Sequence, residues 1–145
     1  MRVPVAGGTP ERLLEKPVVI GRYSPDGKQI GLLFSEGEPG ALHQKLAIMD
    51  SETGRITRTF DMIGTTPPDN FPVLRWTPDG RGLTFPVQLG ANTNLWIQSI
   101  SGGKPRQITH FPDSVVAYAW SPDGKRLALT RRTTSSDVVL LSNFQ

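Results

Sequence analysis

The strongest constraint on the fold is a phrase that the sequence contains three times. It reads "YSPDGKQIGLLF" from Tyr23, "WTPDGRGLTFPV" from Trp76 and "WSPDGKRLALTR" from Trp120. In Pro-Asp-Gly, proline presets φ at the first corner of a turn, aspartate bonds its own backbone two residues on, and glycine accepts a positive φ. Each copy of the phrase therefore predicts a tight turn between two antiparallel strands.

Apolar residues recur at every second position after each turn, which is typical of a strand. The apolar sets on one face are Ile30, Leu32 and Phe34, then Leu83, Phe85 and Val87, then Leu127 and Leu129. A third strand follows each hairpin, in "KLAIMD" from Lys45, "NLWIQSI" from Asn94 and "DVVLLSN" from Asp137. A glycine turn and a fourth strand follow in "SETGRITRTF" from Ser51 and "SGGKPRQIT" from Ser101.

The turns begin at Pro25, Pro78 and Pro122, so they are 53 and then 44 residues apart. A four-stranded unit with strands a to d that repeats near this period is a β-propeller blade. The sequence therefore predicts an all-β propeller segment of about three blades. The predicted boundaries are 17–61 for blade 1, 62–110 for blade 2, and 111–145 for blade 3, which lacks strand d.

Residues 1–16 match the end of a blade. "PVAGGTPERLL" from Pro4 aligns without gaps with "SISGGKPRQIT" from Ser99, so this segment is interpreted as the end of a strand c and a spare strand d. Three blades are fewer than a closed propeller contains. We therefore expect a homodimer that closes a six-bladed ring by exchange of the N-terminal strand. The alternative is the C-terminal half of a longer propeller.

Composition excludes several classes of protein. The net charge of +3 is scattered rather than clustered with aromatic residues, which argues against nucleic-acid binding. No apolar run long enough to cross a membrane and no signal peptide is visible, so membrane insertion is not expected. The absence of cysteine excludes disulfides and thiolate metal sites. The compartment stays open, and a periplasmic location is compatible with a fragment of a longer protein.

Two sets of residues are candidates for a functional role. The turn residues are interpreted as structural rather than as metal ligands or acids: Pro25, Asp26, Gly27, Pro78, Asp79, Gly80, Pro122, Asp123 and Gly124. The d–a and b–c connections vary in length and meet on one side of a propeller, here called the loop face. Its candidate ligand-binding residues are Glu36, His43, Asn92, His110 and Arg131, and the alternative is that they are solvated polar residues of the loops. Tyr23, Trp76 and Trp120 are expected to pack between blades.

The chain contains none of the motifs that mark a catalytic, metal or phosphate site. There is no Gly-x-Ser-x-Gly, no His-Glu-x-x-His, no calcium loop and no phosphate-binding glycine loop. The sequence therefore predicts a non-enzymatic protein without metal or cofactor.

"AWSPDGKRLALTR", together with endings such as "NLWIQSISGGKPRQIT", resembles the TolB-like, WD-repeat-like propeller repeat of bacteria. The tail "SSDVVLLSNFQ" also resembles the last blade of propellers attached to bacterial serine/threonine kinases and transcriptional regulators. The resemblance implies a scaffold or sensing module that binds a protein or peptide partner on the loop face. The alternative is a regulatory propeller fragment of a prolyl-oligopeptidase-like serine peptidase.

Overall fold

The computed structural model describes residues 1–38, 43–64 and 73–133, and these residues contain strands and turns but no helix. The strands are β1 Val18–Tyr23, β2 Gln29–Glu36, β3 His43–Asp50, β4 Ile56–Asp61, β5 Arg75–Trp76, β6 Gly82–Leu89, β7 Asn92–Ser99, β8 Arg106–Gln107, β9 Ser114–Trp120 and β10 Leu127–Arg132. No helix in the described part of the chain is long and apolar enough to cross a membrane.

The strands form consecutive antiparallel sheets. Blade 1 is β1-β2-β3-β4, blade 2 is β5-β6-β7-β8, and the described part of blade 3 is the hairpin β9-β10. The predicted all-β fold with four-stranded antiparallel blades is confirmed. The predicted third strand "DVVLLSN" lies outside the described residues.

The three repeated turns share one hydrogen-bond pattern, which explains why the sequence repeats. In the first, the Ser24 hydroxyl donates to the Asp26 carboxylate at 2.6 Å and accepts from the Gln29 amide at 2.9 Å. The Lys28 amide donates to the same carboxylate at 3.1 Å, and Gly27 has a φ of 73°. The turn is therefore fixed by bonds within six residues.

The other two copies repeat this geometry. Thr77 donates to Asp79 at 2.6 Å, and the Arg81 amide donates to the same carboxylate at 3.0 Å. Ser121 donates to Asp123 in the same way, with the Lys125 amide at 3.0 Å. In each turn, the aspartate carboxylate thus accepts hydrogen bonds from groups of its own turn.

The turn carboxylates predict an acid-dependent loss of stability. Hydrogen bonds from Ser24, Thr77 and Ser121 lower the pKa of Asp26, Asp79 and Asp123 respectively. A lowered pKa stabilises the fold above the ordinary aspartate value of about 3.9, and that contribution is lost as the pH falls through the lower folded value. We therefore expect stability to fall as the pH drops below about 4.

The test replaces all three turn aspartates by asparagine, which keeps an acceptor oxygen but does not titrate. Urea unfolding at about pH 6 and about pH 2.5 should show a smaller loss of stability on acidification in this variant than in the parent. Glu52→Gln is the control, because the Glu52 carboxylate takes no part in these turns. Equal losses in the parent and the triple variant would contradict the prediction.

Blades 1 and 2 share an apolar core, in which large side chains of blade 2 pack against blade 1. Leu83, Phe85 and Val87 of β6 face Leu33, Leu46 and Ile48 of blade 1 in one buried cluster. Gly31 permits the close approach, since a Cβ at this position would lie 2.6 Å from the Leu83 Cδ2 atom. Trp76 belongs to the same cluster, and its Nε1 donates to the Arg22 carbonyl across the interface at 2.8 Å.

Blades 2 and 3 pack in the same way, with large side chains of blade 3 against blade 2. Tyr118 is buried in this interface, and its hydroxyl donates to the Thr84 carbonyl at 2.6 Å. Trp120 donates from Nε1 to the Thr84 hydroxyl at 3.1 Å. Burial raises the pKa of Tyr118 far above its ordinary range. Trp76 and Trp120 thus lie between blades, whereas Tyr23, at the equivalent position of blade 1, is 55% exposed.

The N-terminal segment has the geometry of a blade end. Arg2 and Glu11 form an antiparallel bridge, at the positions that align with Ile97 and Arg106, which pair in blade 2. The Gly7 amide donates to the Pro4 carbonyl at 3.0 Å, and its aligned counterpart Gly102 donates to Ser99 at 3.2 Å. The expected spare strand d around residues 11–14 is therefore present as a single bridge rather than as a longer strand.

Candidate functional site

The structure places the predicted loop-face residues at the expected strand ends. Glu36 ends β2 and pairs in register with His43, which begins β3. Asn92 begins β7 after the two-residue turn Gly90–Ala91, and Gly90 has a φ of 64°. The β2–β3 and β4–β5 connections include residues 39–42 and 65–72, which lie outside the described residues.

Glu36 belongs to a charged cluster on blade 1. Its carboxylate accepts from the Lys16 ammonium at 2.5 Å and lies 3.2 Å from the Lys45 ammonium, which also lies 3.5 Å from Asp61. Hydrogen bonds from Lys16 and then Lys45 lower the pKa of Glu36. Glu36 is therefore ionised, and the two lysines balance its negative charge. These ion pairs are exposed, so they stabilise the fold only weakly.

A buried side chain fixes the connection between blades 2 and 3. Asn94 of β7 accepts at Oδ1 from the Thr109 hydroxyl at 2.8 Å and from the Phe111 amide at 2.9 Å. Its Nδ2 donates to the Phe111 carbonyl at 3.1 Å. The Thr109 hydroxyl also accepts from the Leu95 amide at 2.9 Å. Asn94 therefore holds both backbone groups of Phe111, and exposed His110 lies between two anchored residues.

Arg131 lies beside this connection. Its guanidinium donates to the Asp113 carboxylate at 3.2 Å and stacks over the Phe111 ring, with 4.4 Å between Cζ and the ring centroid. The Thr133 hydroxyl donates to the other Asp113 oxygen at 3.3 Å. The arrangement combines a cation, an aromatic ring and a carboxylate, which are the groups that recognise polar and charged parts of a peptide.

The structure places the predicted residues on separate parts of the chain. Glu36 and His43 lie together on blade 1, and Asn92 begins β7 of blade 2. His110 lies within the fixed connection between blades 2 and 3, and Arg131 lies beside it. Sequence reasoning missed Asn94, Asp113 and the lysine partners of Glu36. The only signal for Asn94 in the sequence was its place directly before the apolar run Leu95–Ile97, and its partners lie 15 and 17 positions away.

Two cavities lie away from the loop-face candidates, between the repeated turns. A groove of about 600 Å³ runs between the first two repeated turns and is lined by Pro25, Asp26, Pro78 and Asp79. Another of about 410 Å³ lies between the second and third turns. Within the described residues, no group of three or more His, Asp or Glu side chains could hold a metal ion.

Comparison with curated proteins yields similarity to peptidases. No family model matches the chain. It is 32% identical over 113 residues to the uncharacterized peptidase YuxL of Bacillus subtilis, a match that covers 75% of this chain and 16% of that protein. It is 37% identical over 93 residues to dipeptidyl-peptidase 5 of Porphyromonas gingivalis, covering 61% of this chain and 12% of that protein. The chain thus spans about a sixth or less of these relatives.

Solved structures with the same fold include TolB proteins and a peptidase. The putative TolB of Agrobacterium tumefaciens superposes with a TM-score of 0.62 and 22% identity, covering 90% of this chain and 44% of that one. The acylaminoacyl peptidase of Pyrococcus horikoshii gives a TM-score of 0.60 and 12% identity, covering 90% of this chain and 20% of that one. The chain therefore has a TolB-like fold and forms part of a propeller.

The expectation of a non-enzymatic protein is wrong, because the curated relatives are named as peptidases. The physical reason is that the catalytic residues of a peptidase occupy a small part of its chain, so a segment of the chain need not contain them. The match covers a short part of each relative, so missing catalytic motifs in that part do not indicate the class of the whole protein. None of these comparisons bears on the expected attachment to a kinase or transcriptional regulator.

Proposed function

We propose that this chain is a segment of the β-propeller of a peptidase of the prolyl-oligopeptidase-like serine type, and that its loop face restricts the access of peptide substrates. The observation that carries the proposal is the 32% identity with a named peptidase over 75% of the chain. The blade fold, shared with an acylaminoacyl peptidase over 90% of the chain, supports it.

The loop face suits this role because its groups are fixed before a substrate arrives. Asn94 immobilises the connection that carries His110, and Arg131 is held by Asp113 and Phe111. A group that is already ordered loses less conformational entropy on binding. The protein- or peptide-binding function expected from the sequence thus becomes the recognition of a peptide substrate.

The test uses the complete protein encoded by the reading frame that contains this chain. We expect it to be labelled by a fluorophosphonate probe, which reacts with activated serines, and to hydrolyse dipeptide nitroanilides. The labelled serine should lie outside residues 1–145. A reading frame that encodes a kinase or DNA-binding domain and no hydrolase, or a complete protein that neither reacts with the probe nor hydrolyses peptides, would overturn the proposal.

A loop-face variant of the complete protein tests the role of the propeller in access. His110→Ala is expected to change KM for peptide substrates while kcat for a small nitroanilide stays the same, because His110 lies away from the bond that is cleaved. Lys104→Ala, in the turn between β7 and β8 at the opposite end of the blade, is the matched control and should change neither constant. Identical KM values for all three proteins would count against a role of this face.

A further inference from the structure

The first strands of the three blades, β1, β5 and β9, enclose a cavity of about 250 Å³. Its lining, within the described residues, comes from these three strands and from Leu74, which directly precedes β5. Three sheets can share one cavity only at the edge where they come closest, and propeller blades come closest at the central channel. The cavity therefore lies in the wall of that channel, and the blades that form it all belong to this chain.

Two arginines occupy equivalent positions on this wall. Arg22 pairs in register with Gly31, and Arg75 pairs with Thr84, the aligned residue of blade 2. Residues opposite each other in an antiparallel pair lie on the same face of a sheet. Arg22 therefore lies on the face of blade 1 that meets blade 2, and Arg75 lies on the face of blade 2 that meets blade 3. Both side chains are exposed although a blade of this chain is next to each of them.

Neither guanidinium is neutralised within the part of the chain that the structure describes. No carboxylate there forms an ion pair with Arg22 or Arg75, whereas Arg2 and Arg131 each pair with one. The Arg22 guanidinium donates to the carbonyl of the adjacent Gly21 at 3.3 Å, which leaves its charge uncompensated. Two such cations on one wall produce a local positive potential, and this potential attracts anionic groups.

Arg75 is positioned by an aromatic ring rather than by a charge. Its Cζ atom lies over the Tyr118 ring, 5.6 Å from the centroid, and the Tyr118 hydroxyl is fixed by its bond to the Thr84 carbonyl at 2.6 Å. The attraction between a guanidinium and a ring does not use the N–H donors, which lie in the guanidinium plane. A carboxylate is the matching acceptor, because it can accept two parallel N–H bonds from one guanidinium.

Large apolar side chains border the two cations. Leu74, Trp76 and Trp120 line the same cavity as Arg22 and Arg75. Ligand sites combine apolar walls with a few fixed polar or charged groups, and the apolar wall binds the part of the ligand beside its charged group. A peptide carries apolar groups next to a carboxylate, whereas an inorganic anion such as phosphate has no group that could contact this wall.

We propose that Arg22 and Arg75 form a binding site for a peptide carboxylate in the wall of the central channel. The carboxylate accepts hydrogen bonds from Arg75 and lies in the positive potential to which Arg22 contributes, and the apolar group beside it packs on Trp120. A C-terminal carboxylate and the side chain of Asp or Glu present the same chemical group to this site. That a peptide carries the carboxylate rests on the proposed function, whereas the recognition of a carboxylate rests on the two arginines.

Calorimetric titration of the complete protein with matched peptides tests the site. The protein is first treated with the fluorophosphonate, so that a bound peptide is not hydrolysed. Three N-acetylated tetrapeptides of alanine and leucine are compared: one with a free C-terminal carboxylate, one with a C-terminal amide, and one with this amide and a glutamate in place of an alanine. At least one carboxylate peptide should bind roughly 10-fold more tightly than the neutral amide, the effect of one hydrogen bond to a charged group. The peptide that does so identifies the source of the carboxylate.

Substitution of the two arginines assigns the binding to this wall. Arg75→Gln and Arg22→Gln should each weaken binding of the carboxylate peptide by roughly 10-fold and leave binding of the neutral amide unchanged. Arg75→Lys should lose less, because it keeps the charge but not the two parallel donors. Arg106→Gln is the matched control, since Arg106 is also exposed but lies on β8, the last strand of blade 2. It should bind all three peptides as the parent does.

Three results would overturn the proposed site: equal affinity for the three peptides, parent-like binding by both glutamine variants, or a preference for inorganic phosphate over both carboxylate peptides. The outcomes also separate this site from the proposed function. A protein that the fluorophosphonate does not label, but that prefers the carboxylate peptide through Arg22 and Arg75, would keep the site and lose the peptidase assignment. A labelled peptidase that binds the carboxylate and the amide equally would keep the assignment and lose the site.

Discussion

Replacing Trp76 by alanine is expected to lower the free energy of unfolding by about 3–5 kcal/mol, the range for deleting a large buried aromatic side chain. Trp76 is only 8% exposed and packs in the cluster that joins blades 1 and 2. The substitution removes this packing and leaves the Arg22 carbonyl without its indole donor. Because a blade cannot bury its own apolar face, the loss should affect both blades.

Urea denaturation followed by circular dichroism measures this effect, at one protein concentration for all variants. Trp76→Phe should cost less than Trp76→Ala, since it keeps most of the apolar contact and loses mainly the hydrogen bond. Val5→Ala, at a fully exposed position, should leave the unfolding midpoint unchanged. A Trp76→Ala variant as stable as the Val5→Ala variant would show that the blades do not depend on this contact.

The repeated turns were predictable because their chemistry is local. The hydroxyl, carboxylate and glycine that fix each turn lie within six consecutive residues, so the sequence contains the whole interaction. The same applies to the period of two in β2, β6 and β10, because alternate residues of a strand lie on the same face. It places Ile30, Leu32 and Phe34 together in one cluster of blade 1. Local features of this kind repeat with the blade, and three copies made the propeller fold identifiable.

The candidate site was less predictable, because it depends on contacts between distant residues. Asn94 bonds residues 15 and 17 positions away, and Glu36 bonds Lys16 at a separation of 20. Neither partner follows from a motif. Sequence reasoning identified Glu36 and Arg131 as loop polars. The partners that fix their charge and position come from other strands of the same blade or from the segment that precedes it, so they became visible only in the folded structure.

The N-terminal segment shows an intermediate case. Its glycine pair and following proline identified it as a blade end, and the Arg2–Glu11 bridge has the aligned register. The length of this strand could not be predicted from the sequence, because a strand d extends only as far as it pairs with a strand c. Only one bridge forms where the corresponding strands of blade 2 form two.

Replacing Asn94 by alanine is expected to release the connection between blades 2 and 3. The substitution leaves the amide and carbonyl of Phe111 without the partners that Asn94 provides. Buried polar groups that lose their partners cost about 1–3 kcal/mol, so the free energy of unfolding should fall by that amount. The local effect should be larger than the global one, because the lost bonds all lie in this connection.

Hydrogen exchange at the Phe111 amide separates the local effect from a general loss of stability. This amide should exchange faster in Asn94→Ala by more than the change in global stability explains, since its acceptor is the deleted Oδ1 atom. Asn92→Ala is the matched control, because it removes the same side chain two positions earlier on β7 and none of these bonds. It should leave both the exchange rate and the unfolding midpoint unchanged. Equal protection of Phe111 in the parent and in Asn94→Ala would mean that the connection is held by other contacts, and the loop face would then lose the preorganised geometry on which its proposed role in substrate access depends.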